Sequence, residues 1–132
     1  MLEKRTLRTK FYDMVNITGE IADIVKNSGV QDGICIVTCP HTTAALCVAC
    51  EQDPNILEDI QGELNRMIPT RNDFKHQETP HDASGHIKSA IVGPILTLIV
   101  ENGELKMCIR DRRPLLLQGG ADFFNNGLIL AY

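Results

Sequence analysis

Hydrophobic and polar positions alternate along this chain in two periods, and the change from one to the other marks its elements. Leu2, Thr6, Leu7 and Phe11 alternate loosely with charged neighbours, which predicts a first strand over Leu2–Tyr12. Ile17, Ile21, Ile24 and Val25 then recur at helical spacing. Asn16-Ile17-Thr18 offers a cap at the start, and Asn27-Ser28-Gly29 closes the helix. Gly33–Cys39 is a continuous apolar, β-branched run of strand length, the pattern of a strand buried on both faces. The polar island PHTTA interrupts it, and Leu46–Cys50 resumes a strand pattern.

Asp53-Pro54 is a helix start, because the residue before proline is pushed out of the helical region and proline suits the first helical position. Ile56, Leu57, Ile60, Leu64 and Met67 form the expected inward face of that helix, which stops before Pro69. Pro69–Ser84 is polar, His86–Val92 predicts a short helical turn, and Ile95–Val100 a strand. Asn102-Gly103 tolerates the positive φ of a type I′ turn and predicts a hairpin with a partner strand over Leu105–Ile109. Strands and helices mix without a strict βαβ rhythm. The expectation is an α+β fold: one domain over residues 1–132, with a mixed or antiparallel sheet packed by two main helices.

Composition narrows the function classes. The chain has 132 residues, 43% of them hydrophobic, enough for a real core. A formal net charge of −4 argues against a nucleic-acid or anionic-membrane partner, since both require a basic surface. No stretch approaches the roughly 20 apolar residues of a membrane span, and MLEKRTLRTK lacks an apolar signal core, so a cytoplasmic location is expected. Five cysteines without an export signal read as reduced thiols. Cys47-x-x-Cys50 has knuckle spacing but no second pair, and positions 47 and 50 of a strand face opposite ways. Cys35, Cys39 and Cys47 are read as small buried hydrophobes.

The chemistry concentrates in FKHQETPHDASGHIKSAIVG, residues 74–93. Three of the four histidines, His76, His81 and His86, lie here with Glu78 and Asp82 between them. Imidazoles at this density are candidate metal ligands or acid/base groups, and the plainer alternative is a polar surface loop. The spacing of His81 and His86 does not fit one helical face, which points to loop or loop-to-helix geometry. The fourth histidine, His41, sits in PHTTA between two strands, where a side chain faces a pocket mouth. Thr42 and Thr43 can donate and accept hydrogen bonds towards a phosphate, and a β-turn with a satisfied histidine is the alternative. Lys88 offers a point charge to a phosphate or carboxylate, against a solvated lysine on a short helix. Glu51 and Asp53 could reach the same pocket, although Asp53 is accounted for as a cap.

His41-Thr-Thr-Ala-Ala, Asp53-Pro54, His76, Asp82-x-x-x-His86-Ile-Lys-Ser and Glu101-Asn-Gly arrive in an order and spacing that resembles the YjbQ family, described as secondary thiamine-phosphate synthases. The resemblance runs from about Leu2 to Lys106. It implies an α+β domain assembled as a homotrimer, with His41, His76, His86 and Asp82 as catalytic positions and His81 as a variable one. It further implies His41, His76 and His86 as metal ligands, and Thr42, Thr43, Lys88 and Ser89 as contacts to a small phosphorylated molecule. A divalent metal would serve such a site, zinc by ligand type or magnesium by reaction type. The implied reaction joins a hydroxymethylpyrimidine diphosphate to a thiazole phosphate. The alternatives are a non-catalytic metal- or phosphate-binding trimer and a cysteine hydrolase. The chain departs from the family at Ala49-Cys50, where many relatives carry Asn-Glu, and from Met107 onward, where Met-Cys-Ile-Arg-Asp-Arg-Arg-Pro replaces a Gly-Thr-Trp-Gln strand and tryptophan is absent.

Overall fold

The computed structural model describes residues 1–10, 13–49, 55–76, 79, 82–106, 115–118 and 126–131. In chain order its elements are β1 (Leu2–Leu7), β2 (Met14–Asn16), α1 (Thr18–Ser28), β3 (Gly33–Thr38), β4 (Ala45–Val48) and α2 (Asn55–Met67). These are followed by α3 (Ala83–Val92), β5 (Ile95–Glu101), β6 (Glu104–Lys106), β7 (Leu115–Gln118) and β8 (Asn126–Ala131). Among the described residues they form a single α+β domain with the two main helices expected, α1 and α2, and a third, α3, where a short turn was expected. The strands make two antiparallel sheets, one ordered β1-β8-β3-β5-β6 and one ordered β2-β7-β4. The strands from the C-terminal tail are interior to both: β8 lies between β1 and β3, and β7 between β2 and β4.

Local chemistry accounts for both ends of α1 and for the turn between β5 and β6. The Asn16 side-chain oxygen accepts the Thr18 amide at 3.0 Å, which caps the first turn of α1. Gly29 ends that helix at φ +74°, a left-handed conformation that costs glycine little. Asn102 and Gly103 both have positive φ, as the type I′ hairpin between β5 and β6 requires. The first strand stops at Leu7, short of the expected Tyr12, and Phe11 and Tyr12 lie outside the described residues. So do Asp53, Pro54 and residues 107–109 of the expected partner strand.

The core is built from Ile17, Ile21, Ile24 and Val25 around α1, Cys35 and Val37 of β3, Leu98 and Val100 of β5, and Cys39, Ala44 and Leu46. α1 therefore covers one face of the five-stranded sheet. Among the described residues the other face is exposed at β3 and β5, which corrects the expectation that β3 is buried on both sides. Ile34 and Ile99 are paired across the β3–β5 ladder and are 57% and 62% exposed, with Ile36 and Ile95 on the same face. A continuous apolar run is equally consistent with a strand covered by its own chain and one covered by another. On α2 only Leu64 of the expected inward face is buried; Ile56, Leu57 and Ile60 are half-buried and Met67 is exposed at the helix end. No helix among the described residues is long and apolar enough to cross a membrane.

Candidate functional site

The site is organised by α3, which is longer than the turn expected over His86–Val92. Three buried hydrogen-bonding side chains fasten this helix to its surroundings. Ser84 Oγ lies 3.1 Å from Thr70 Oγ1, on the loop that follows α2. Lys88 donates to Asn65 Oδ1 of α2. Ser89 Oγ donates to the Ala44 carbonyl at 2.6 Å. The end of α3 joins the sheet through the Gly93 and Pro94 carbonyls, which accept the amides of Leu46 and Cys39. The helix that carries His86 is thus held rigidly, the condition for placing a functional side chain.

Asp82 stands at the N-cap position of α3, but its carboxylate makes no capping hydrogen bond. It turns instead towards the histidines. Asp82 Oδ2 accepts the Thr79 hydroxyl at 2.7 Å. Asp82 Oδ1 lies 3.2 Å from His76 Nε2 and 3.7 Å from His86 Nε2. The two imidazole rings meet edge to face, with centroids 5.1 Å apart. Asp82 Oδ1 is buried and no hydrogen bond reaches it, although two ring nitrogens are this close. A buried, unsatisfied carboxylate oxygen is costly, and a cation would satisfy it.

One ligand atom each from His76, Asp82 and His86 lies within 4.8 Å of the others. A tetrahedral zinc ion with bonds of about 2.0–2.2 Å separates its ligand atoms by about 3.3–3.6 Å, so the observed group needs little adjustment. Two imidazoles and one carboxylate, each half-buried, would leave a further coordination position for a ligand. The sequence signal for this group was available: Asp82 and His86 are four residues apart, one turn at a helix start. His86 lies within α3 and Asp82 at its N-cap, the loop-to-helix placement that the spacing allowed; His81 lies outside the described residues.

The other predicted residues fall in distinct places. His41 is not a member of the three-residue group. Its Nδ1 receives the Thr43 amide at 3.2 Å and lies 2.9 Å from Thr43 Oγ1, within a turn closed by the Ala44 amide donating to the His41 carbonyl. Thr43 is buried and Thr42 exposed. The β-turn with a satisfied histidine is therefore present, at least on the Nδ1 side. Lys88 is buried, not solvated, and its position two residues from His86 directs it to the opposite side of α3. Burial pushes its pKa down. Ser89 is occupied by the Ala44 carbonyl.

Asn65, the partner of Lys88, was missed by sequence reasoning, since nothing local distinguishes it from the polar face of an amphipathic helix. Thr79 was also missed, and nothing in its local sequence marks a threonine that braces a carboxylate. His81, Glu78, Glu51 and Cys50 lie outside the described residues. The thiols of Cys35, Cys39 and Cys47 are all pushed up by burial, the reverse of an activated nucleophile.

The comparisons with known proteins agree on one family. The family described as UPF0047 protein YjbQ-like matches residues 3–111. A UPF0047 protein of Methanocaldococcus jannaschii is 38% identical over 79% of this chain and 75% of its own. The UPF0047 protein YugU of Bacillus subtilis is 32% identical over 74% of this chain and 73% of its own. A Clostridium acetobutylicum crystal structure of the YjbQ/UPF0047 family is 28% identical, with a TM-score of 0.88 over 98% of both chains. That coverage runs beyond residue 111, where the family match ends. By sequence and by fold, this chain belongs to the YjbQ-like UPF0047 family.

Proposed function

We propose that this protein is a divalent-metal-dependent enzyme acting on a small phosphorylated molecule, with the metal held by His76, Asp82 and His86. The observation that carries the reading is the buried Asp82 Oδ1, which has two imidazole nitrogens beside it and no hydrogen bond. The donor set of two nitrogens and one oxygen favours zinc over magnesium, which prefers oxygen ligands. A bound divalent ion supplies Lewis-acid stabilisation of negative charge on phosphoryl oxygens. The chain's own contribution is to hold the three ligand groups at the rigid start of α3, with Thr79 bracing Asp82 through Oδ2.

The reaction we assign is the one the family resemblance implies: a hydroxymethylpyrimidine diphosphate joins a thiazole phosphate and pyrophosphate departs. Stabilising that leaving group is a task suited to a metal and fixed hydrogen-bond donors. We place the enzyme in the cytoplasm, where the buried, unpaired Cys35 and Cys39 would stay reduced. We further propose a homotrimer in which the exposed Ile34, Ile36, Ile95 and Ile99 face is covered by other copies of this chain. An apolar face of this kind is uncommon on a monomer. Sedimentation of the unsubstituted chain and of Ile99→Lys tests it: a trimer lost on substitution is expected, and a monomer in both would refute the assembly.

Zinc titration followed by turnover with the two precursors tests the activity. Bound zinc with thiamine phosphate formed is the expected result. Zinc bound tightly without product favours the non-catalytic binding protein, and absence of zinc binding removes the metal reading.

A further inference from the structure

His41 is fixed through one ring nitrogen, and that fixes what the other can do. The Thr43 backbone amide donates to Nδ1 at 3.2 Å, and Thr43 Oγ1 lies 2.9 Å from the same atom. An amide N–H has no acceptor capacity, so Nδ1 must present its lone pair and cannot carry the ring proton. In neutral imidazole the proton is then on Nε2. A histidine that binds a metal through Nε2 has the reverse pattern, with Nε2 bare and Nδ1–H donating to a carbonyl or carboxylate. Both nitrogens of His41 are thereby closed to a cation: one is covered by Thr43 and the other is protonated. Nε2–H remains as a donor, and none of the described hydrogen bonds uses it.

The backbone around this ring is equally constrained. The Ala44 amide donates to the His41 carbonyl, and the Ala44 carbonyl accepts from Ser89 Oγ. Ser89 lies one helical turn beyond His86 on α3. The turn that carries His41 is therefore bonded directly to the helix that carries His86, and the donor is pre-positioned with respect to that helix. A fixed N–H on a half-buried ring suits an anionic oxygen.

Resting on the metal reading above, we infer that His41 is not a metal ligand but an anion-holding donor. Through Nε2–H it grips a phosphoryl oxygen of the phosphate or diphosphate ligand bound at the His76–Asp82–His86 group. This divides the four candidate positions into a cation group on one segment and an anion donor on the other.

Nitrogen-15 NMR of the full chain reports which nitrogen of the His41 ring carries the proton, and the Nε2–H form is expected. Zinc titrations, and inorganic pyrophosphate titrations into the zinc-loaded protein, are then compared for the unsubstituted chain, His41→Ala and His41→Gln. Zinc affinity should stay within about threefold in both variants, while pyrophosphate affinity falls about 10–100-fold in His41→Ala, the loss of one charge-assisted hydrogen bond. His41→Gln, which can place an amide N–H near the Nε2 position, should recover part of that loss. An Nδ1–H ring, a zinc loss in His41→Ala matching that of His86→Ala, or unchanged pyrophosphate affinity in His41→Ala would each overturn the inference. Should the unsubstituted protein bind no zinc, the metal reading falls alone. The NMR result and pyrophosphate titrations into the zinc-free proteins then decide the donor role by the same criteria.

Discussion

His41 and the His76–His86 pair are the same residue type on two segments joined through Ser89, yet their surroundings are opposite. Around His41 the chain supplies donors: an amide and a hydroxyl converge on Nδ1. Around His76 and His86 it supplies acceptors: Thr79 Oγ1, 3.3 Å from His76 Nε2, and the buried Asp82 Oδ1, which no hydrogen bond reaches. The contrast teaches that the role of an imidazole is set by what its neighbours offer each nitrogen. A donor on one nitrogen makes the other a donor; a bare carboxylate oxygen among rings makes a place for a cation.

Removing Asp82 is the strongest way to break this contrast. Asp82→Ala should lower zinc affinity by more than about 100-fold, because even partners that only orient a ligand cost 10–100-fold. Competition with a chromogenic chelator measures it. A loss below tenfold would mean that the carboxylate is not a ligand. The metal-free Asp82→Asn protein should be at least as stable to urea as the unsubstituted one, since a carboxylate with one buried oxygen that no hydrogen bond reaches becomes a neutral amide.

Separating the two segments has the next largest effect. Ser89→Ala leaves the Ala44 carbonyl buried without its partner and should cost about 1–3 kcal/mol in urea unfolding. Zinc affinity should change little, because none of the three proposed ligand groups bonds directly to Ser89. A zinc loss as large as that of Asp82→Ala would show that the two regions form one cluster. Thr79→Val sharpens the acidic side of the comparison: without the hydroxyl on Oδ2, zinc affinity should fall by about tenfold. An unchanged affinity would show that Asp82 needs no brace.

Lys88 provides the smallest and most selective test, because it lies on the other side of α3 from His86. Burial lowers its folded-state pKa below the ordinary 10.5. Below the lowered value both states are protonated, and the folded state carries the full cost of desolvating the ammonium. As pH rises from that value to 10.5 the unfolded state holds more protons, so stability increases. The unsubstituted protein should therefore gain urea stability relative to Lys88→Met across that interval, with zinc affinity unaffected. A flat difference would show that the Asn65 bond offsets the desolvation.

Much of the fold was legible along the chain. Ile17, Ile21, Ile24 and Val25 are buried as their spacing requires, Gly29 ends α1, and Asn102-Gly103 makes the turn. Each of these depends on dihedral preferences and periodicity within a few residues. The apolar run of β3 was legible as a strand, but not its covering, because a run of isoleucine and valine reads the same whatever packs on its second face. The tail was not legible as structure, although LLLQ and NGLILA supply interior strands of the two sheets. Their pairing partners are dozens of residues or more away in the chain, and short apolar segments carry no record of the strand they join.

The sequence by itself determined α1, β3, α2 and the β5–β6 turn, the α+β class, the family and the two histidine-bearing segments, since these follow from local spacing and from residues in a recognisable order. Only the tertiary structure decided that Asp82 leaves its cap to join His76 and His86, that Lys88 is buried against Asn65, and that Thr43 closes one nitrogen of His41. The reason is physical. Which atoms become ligands, donors or orphaned acceptors depends on what folding removes from water and sets within hydrogen-bonding distance. Residue order alone does not contain that geometry.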